Sequence, residues 1–277
     1  MQPKTAVING TPLTYVEAGA GVPVVFVHGS LADYRTWKAQ LLPFSERFHV
    51  FAYSRRFHYP KTWSPDDEDY AVETHAADLS AFIQQHCPES AHLVCASWGG
   101  NVALTFAVRE PARVRSLVLC EPPALPLLEH DTQSRALLEA FYRTVIGPTR
   151  EALLHDEEDR GLEFFIDGVM GNGAYRSMHE GVRSYFIQNL PAFKGELLSR
   201  RYLHAFPHKQ IHSIAHPVLL LEAEKSPPLF HRILDILQSK LPNVERHTVA
   251  NASHGMHADN PQAFNNIVLD FLSYHFP

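Results

Sequence analysis

The chain predicts an α/β protein built on one mostly parallel central sheet flanked by helices, and three observations carry that expectation. Apolar runs of strand length, at 22–27, 48–53, 92–96, 114–120 and 217–221, alternate with stretches of helical periodicity. Residues 91–109, AHLVCASWGGNVALTFAVR, pass from such a run into a helical pattern with only Ser97, Trp98 and two glycines at the corner. Between 124 and 216 the alternation stops; the pattern there is helical with no buried strand run. The 277 residues, 45% of them hydrophobic, suffice for a sizeable core. Residues 1–123 and 217–277 are therefore expected to form one core domain, with 124–216 inserted as a helical cap.

In order, 7–8 and 13–18 read as a hairpin about the turn dipeptide Asn9-Gly10, placed at an antiparallel edge. Residues 22–27 are continuously apolar, as suits a strand buried on both faces, and run into His28-Gly29-Ser30. A helix is expected over 34–44, a strand over 48–53, an exposed loop over 61–70 and a helix over 69–86 stopped by Pro88. The run 114–120 ends at Glu121-Pro122-Pro123. In the insertion, helical patterns cover 134–146, 151–155, 161–169 and 175–190. Strand 217–221, helix 229–241, strand 244–249 and helix 262–274 close the chain.

Chemistry enters at the strand ends, where open α/β sheets bind ligands. A sharp strand-to-helix reversal lifts the Ser97 hydroxyl clear of the sheet, and the Trp98 amide at the helix start points toward an oxyanion formed beside it. The same stretch also fits a plain buried strand and Gly-rich turn. Ser30, after a neighbouring strand, offers a second amide donor. Arg55 and Arg56, among three aromatics at the end of 48–53, either clamp a carboxylate or tie loops together. Glu121 needs a partner, because ionised carboxylates are seldom buried alone; an imidazolium would serve, and capping of the next segment is the alternative. His254, just past a strand and followed by Gly255, has the position of a general base.

Composition excludes several classes. A net charge of −6 leaves no basic footprint for nucleic acid or an anionic membrane. With no apolar leader core and no run of about twenty apolar residues, a soluble cytoplasmic protein is expected. Cys87, Cys95 and Cys120 lack metal-ligand spacing and read as reduced core thiols. Among 18 histidines, the groupings His204 with His208 and His254 with His257 lack a third ligand, so no metal is expected.

Serine at an elbow, acid after the next strand, helical insertion, histidine after the last strand: in this order the chain resembles the α/β-hydrolase superfamily over essentially its whole length. The matching motifs are His28-Gly29-Ser30, Ala96-Ser97-Trp98-Gly99-Gly100 and Ser253-His254-Gly255. The resemblance implies the α/β-hydrolase fold and a serine hydrolase acting on a small carboxylic ester, lactone or related acyl compound, without cofactor. Ser97 is then the nucleophile, His254 the base, and the amides of Ser30 and Trp98 the oxyanion hole, with His28, Arg55, Arg56 and Met256 around the substrate. An acyltransferase on the same residues and a non-turnover ligand receptor are the alternatives. Three departures stand out. Cys95 replaces the first glycine of G-x-S-x-G. The loop 53–59 reads YSRRFHY where many relatives carry Asp-Arg-Gly-x-Gly-x-Ser. Ser226 occupies the usual acid position after 217–221, which moves the expected acid to Glu121, with Glu224 and Glu222 as alternatives.

Overall fold

In a computed structural model that describes residues 1–61, 70–87, 89–199 and 206–275, the described residues form one sheet of eight strands. These are β1 (Lys4–Ile8), β2 (Thr11–Ala18), β3 (Pro23–Val27), β4 (His49–Tyr53), β5 (Ala91–Ala96), β6 (Val114–Cys120), β7 (Val218–Ala223) and β8 (Val244–Val249). They lie in the order β1-β2-β4-β3-β5-β6-β7-β8, antiparallel through the β1–β2 hairpin and its contact with β4, and parallel from β4 onward. The predicted class and edge hairpin both hold.

Side-chain alternation divides the core between the two faces. Val25, Leu93, Cys95, Leu117, Leu119 and Leu220 pack on one side with α2 (Val72–His86), α3 (Trp98–Arg109) and α9 (Pro228–Lys240). Val24, Phe26, Val94, Val118, Leu219 and Leu221 pack on the other with α1 (Lys38–Ser45) and with α11 (Pro261–His275), which follows the short α10 (Met256–Asp259). The central strands are buried at every residue of β3 and β5, which explains why they read as unbroken apolar runs. Cys87, Cys95 and Cys120 are buried free thiols; burial pushes all three up, Cys87 to about 12, so they stay protonated at neutral pH.

Register sets the site. Val27 pairs with Cys95, Ala96 with Cys120, and Cys120 with Leu221, so four neighbouring parallel strands end in one row. The residues that follow, His28 to Ser30, Ser97, Glu121 and the turn after Ala223, therefore emerge along the same sheet edge.

Between β6 and β7 lie α4 (Thr132–Phe141), α5 (Gly147–Leu154), α6 (Glu158–Met170), α7 (Ala174–Ser177) and α8 (Glu180–Leu198). The helical character was legible; the boundaries were not. A π-turn over Tyr142–Ile146 joins α4 to α5 without a loop. The expected 175–190 helix is interrupted before Glu180 and continues past Pro191, whose ring removes one hydrogen bond without ending the helix. Similarly, the 34–44 helix opens with a 3-10 turn over Tyr34–Trp37. Pro88, residues 62–69 of the expected loop and His204 lie outside the described residues.

Candidate active site

Ser97 sits at φ 49° and ψ −123°, in a region that costs a residue with a side chain about 1–3 kcal/mol. The turn is fixed by bonds on both sides: the Ser97 N–H donates to the Cys120 carbonyl at 2.8 Å, and the Gly100 N–H donates to the Ser97 carbonyl at 2.8 Å. The glycines that follow are needed for close approach. A Cβ at Gly99 would lie 2.5 Å from the Val27 carbonyl oxygen, and one at Gly100 would lie 2.7 Å from Pro122 Cβ. Cys95, where the family pattern has glycine, is fully buried among the apolar side chains of its own face.

Glu121 repeats the device at the end of β6, with φ 46° and no exposure. Its Oε2 lies 2.7 Å from His254 Nδ1, and His254 Nε2 lies 2.9 Å from Ser97 Oγ. With Nδ1–H donated to the carboxylate, Nε2 is left to accept from the hydroxyl. The His254 ring stacks on Phe230 at 4.2 Å and 22°, and its side chain keeps 10% exposure. Its loop is pinned by Ser253, whose N–H and hydroxyl both donate to Asp259, at 2.8 and 2.6 Å.

Of the three carboxylates weighed from the sequence, only Glu121 meets this histidine. Glu224 accepts from the Asn251 N–H at 2.6 Å, and Glu222 is held by Arg246, His231 and Thr248. Ser226, at the position where the family pattern has its acid, donates its hydroxyl to Glu121 Oε2 at 2.7 Å, while the Ala223 N–H donates to Oε1 at 2.8 Å. Ser226 was noted in the sequence only as an absence; its role required the β6–β7 register.

The side chains expected around the substrate make the following contacts within the protein. Met256 is fully buried in the core on the α1 and α11 side of the sheet. Arg56 holds Asp78 with Nε at 2.5 Å and Nη2 at 2.7 Å, tying its loop to α2. His28 is fully buried: its Nε2 accepts from the Arg55 N–H at 2.9 Å, so Nδ1 carries the proton and donates to the Gly29 carbonyl at 2.8 Å. Burial, then His58 and Arg55, hold this imidazole well below its ordinary range. Arg55 donates to the carbonyls of His28 (3.2 Å) and Gly29 (3.0 Å) and pairs with Glu196 at 2.6 Å, both side chains without exposure.

Sequence reading missed Glu196, which lies beyond the expected 175–190 helix and within α8. An acidic residue among the apolar positions of 190–197 was the available signal. Burial opposes ionisation of Glu196, but Arg55, His58 and the Ser30 side chain outweigh it and hold the carboxyl at about 2. His257 Nε2 contacts Thr36 Oγ1 at 2.8 Å. Among the described residues no three metal-ligating side chains converge, and no helix is long and apolar enough to cross a membrane.

The sheet order, the elbow and the converging Ser97, His254 and Glu121 define a hydrolase of the α/β class. The chain belongs to the alpha/beta hydrolase family, whose model matches residues 24–267. It is similar to 2-hydroxy-6-oxo-2,4-heptadienoate hydrolase of Pseudomonas putida, 25% identical over 265 residues that cover 93% of this chain and 91% of the relative. It is also similar to epoxide hydrolase 3 of Xenopus tropicalis, 27% identical over 283 residues, 97% of this chain and 76% of the relative. Among solved structures, a thermophilic esterase from Thermogutta terrifontis shares the fold, with a TM-score of 0.73, 20% identity and complete coverage of both chains.

Proposed function

We propose that this hydrolase cleaves a small carboxylic ester, lactone or related acyl compound through a Ser97–His254–Glu121 triad. The observation that carries the reading is the unbroken relay of 2.9 Å from Ser97 Oγ to His254 Nε2 and 2.7 Å from His254 Nδ1 to Glu121. A carboxylate nucleophile, which epoxide opening needs, is absent from the elbow, where the chain has serine.

In the proposed reaction His254 Nε2 removes the hydroxyl proton as Ser97 Oγ bonds to the acyl carbon, and the carbonyl electron pair moves to oxygen. The backbone N–H groups of Ser30 and Trp98 stabilise that oxyanion; Trp98 stands at the positive end of α3. Glu121 stabilises the imidazolium. Collapse expels the leaving group with the proton from Nε2, leaving an acyl-enzyme. Water, deprotonated by the same nitrogen, then releases the acid and restores Ser97. Residues 124–216 act as a cap that shapes the acyl pocket.

Labelling with a fluorophosphonate probe and hydrolysis of p-nitrophenyl butyrate test the assignment. Ser97→Ala is expected to abolish labelling and to lower kcat by at least about a thousandfold. Full labelling of Ser97→Ala overturns it.

A further inference from the structure

We infer that Glu196, contributed by α8 from the segment between β6 and β7, is a positioning residue for the oxyanion site and acts through Arg55 on the Gly29–Ser30 peptide. This rests on the proposed role of Ser97. The Arg55–Glu196 pair is wholly buried at 2.6 Å, so neither group is spent on solvent. From there the guanidinium donates to the Gly29 carbonyl at 3.0 Å, and the His28 ring donates to the same oxygen at 2.8 Å.

A trans peptide is planar, with its N–H directed opposite to its C=O. Two donors that hold the Gly29 oxygen on one side therefore aim the Ser30 N–H toward the other. This is the peptide beside the nucleophile: a Cβ built at Gly29 would lie 2.9 Å from Ser97 Cβ and 3.6 Å from Ser97 Oγ.

The same carboxylate is tied to the loop at further points. The Ser30 side chain favours the ionised form of Glu196. The His58 ring bridges the Ala32 carbonyl, 2.8 Å from Nδ1, and Glu196 Oε1, 3.3 Å from Nε2. Arg55 also lies 4.5 Å over the Trp98 ring, so one guanidinium contacts Trp98 as well as the Gly29 carbonyl whose peptide carries the Ser30 amide. Removing Glu196 strands a buried cation, which can be accommodated only if Arg55 moves and releases the Gly29 carbonyl. An amide misaimed by even about 1 Å then loses much of its value to the transition state while leaving ground-state binding intact.

The test uses the full chain, the fluorophosphonate probe and p-nitrophenyl butyrate. In Glu196→Gln, kinact for Ser97 labelling and kcat for the ester are expected to fall about tenfold while KI and KM stay within about twofold. The double variant Arg55→Met/Glu196→Met removes both charges, so its Tm is expected to return toward wild type while kcat stays about a hundredfold down. Gln188→Ala, which loosens α8 from Arg35 without touching this network, keeps wild-type kcat. Undiminished kinact in Glu196→Gln, or recovery of kcat together with Tm in the double variant, overturns the inference. Labelling that survives Ser97→Ala instead overturns the nucleophile assignment, so the two failures are distinct.

Discussion

Glu121 and Glu196 are both fully buried carboxylates within reach of the same strand ends, yet they are compensated in different ways. Glu196 faces a permanent cation, Arg55, and its charge is cancelled in every state of the protein. Glu121 meets a hydroxyl, a backbone N–H and an imidazole. In the proposed reaction it faces a full positive charge only while His254 holds the Ser97 proton. A buried charge that is always paired orders structure, whereas one paired during proton transfer lowers a barrier, because only interactions that strengthen in the transition state accelerate chemistry.

The sharpest way to break this comparison is Glu121→Gln. It keeps the shape but lets an amide N–H face His254, favouring the wrong tautomer. A fall in kcat/KM of about a hundredfold to ten-thousandfold, with a cooperative thermal transition retained, is the expected outcome in ester hydrolysis. Activity within tenfold of wild type would move the acid elsewhere.

Glu196→Gln, beside its smaller, about tenfold fall in kcat, should also appear in stability. Breaking a buried pair costs about 3 kcal/mol, which corresponds to a drop in Tm of roughly 5 °C at this chain length. The sign of its pH dependence follows from the lowered carboxyl. Folded Glu196 titrates at about 2, below its ordinary 4.5, so its contribution is complete above pH 4.5 and lost as pH falls toward 2. The Tm gap between wild type and Glu196→Gln should therefore stay constant from pH 8 to about 5 and close below it. Both proteins should lose Tm together below about pH 6.5. The buried imidazoles of His75, His92 and His257 are held below their ordinary range by burial, His92 to about 3 and His257 to about 4, so the unfolded chain binds protons first. Thermal melts across this range check both points.

The smallest expected effect belongs to Ser226→Ala, which leaves Glu121 its Ala223 N–H and His254 partners. Loss of one hydrogen bond to a charged group is worth about 1.5 kcal/mol, so kcat should drop roughly tenfold with KM unchanged. A loss as large as that of Glu121→Gln would instead make Ser226 indispensable to the acid's placement.

Much of the fold was legible because burial on both sheet faces writes itself as continuous apolar runs, as in Pro23–Val27 and Ala91–Ala96. The corner at Ser97 was legible for a related reason: its glycines mark places where strand ends and helix come within reach of a missing Cβ. What could not be read was the engagement of side chains. Met256 and Arg56 stand close in sequence to site residues, yet one belongs to the core and the other to Asp78. Arg55 and Glu196 are 141 positions apart and share no local pattern. The helix boundaries from 142 to 198 differ because a π-turn over Tyr142–Ile146 runs α4 into α5 and because Pro191 lies inside α8 rather than beyond its end.

The 2.7 Å bond between Ser226 and Glu121 gives the acid a single socket that two neighbouring strands both reach. Side chains from either strand end can fill it, but two carboxylates there could not both ionise. A descendant of this chain could shift its acid to the β7 side only by giving up Glu121 in the same step. Installing an aspartate at Ser226 first would pass through a protein with one acid too many, and losing Glu121 first through a protein with none.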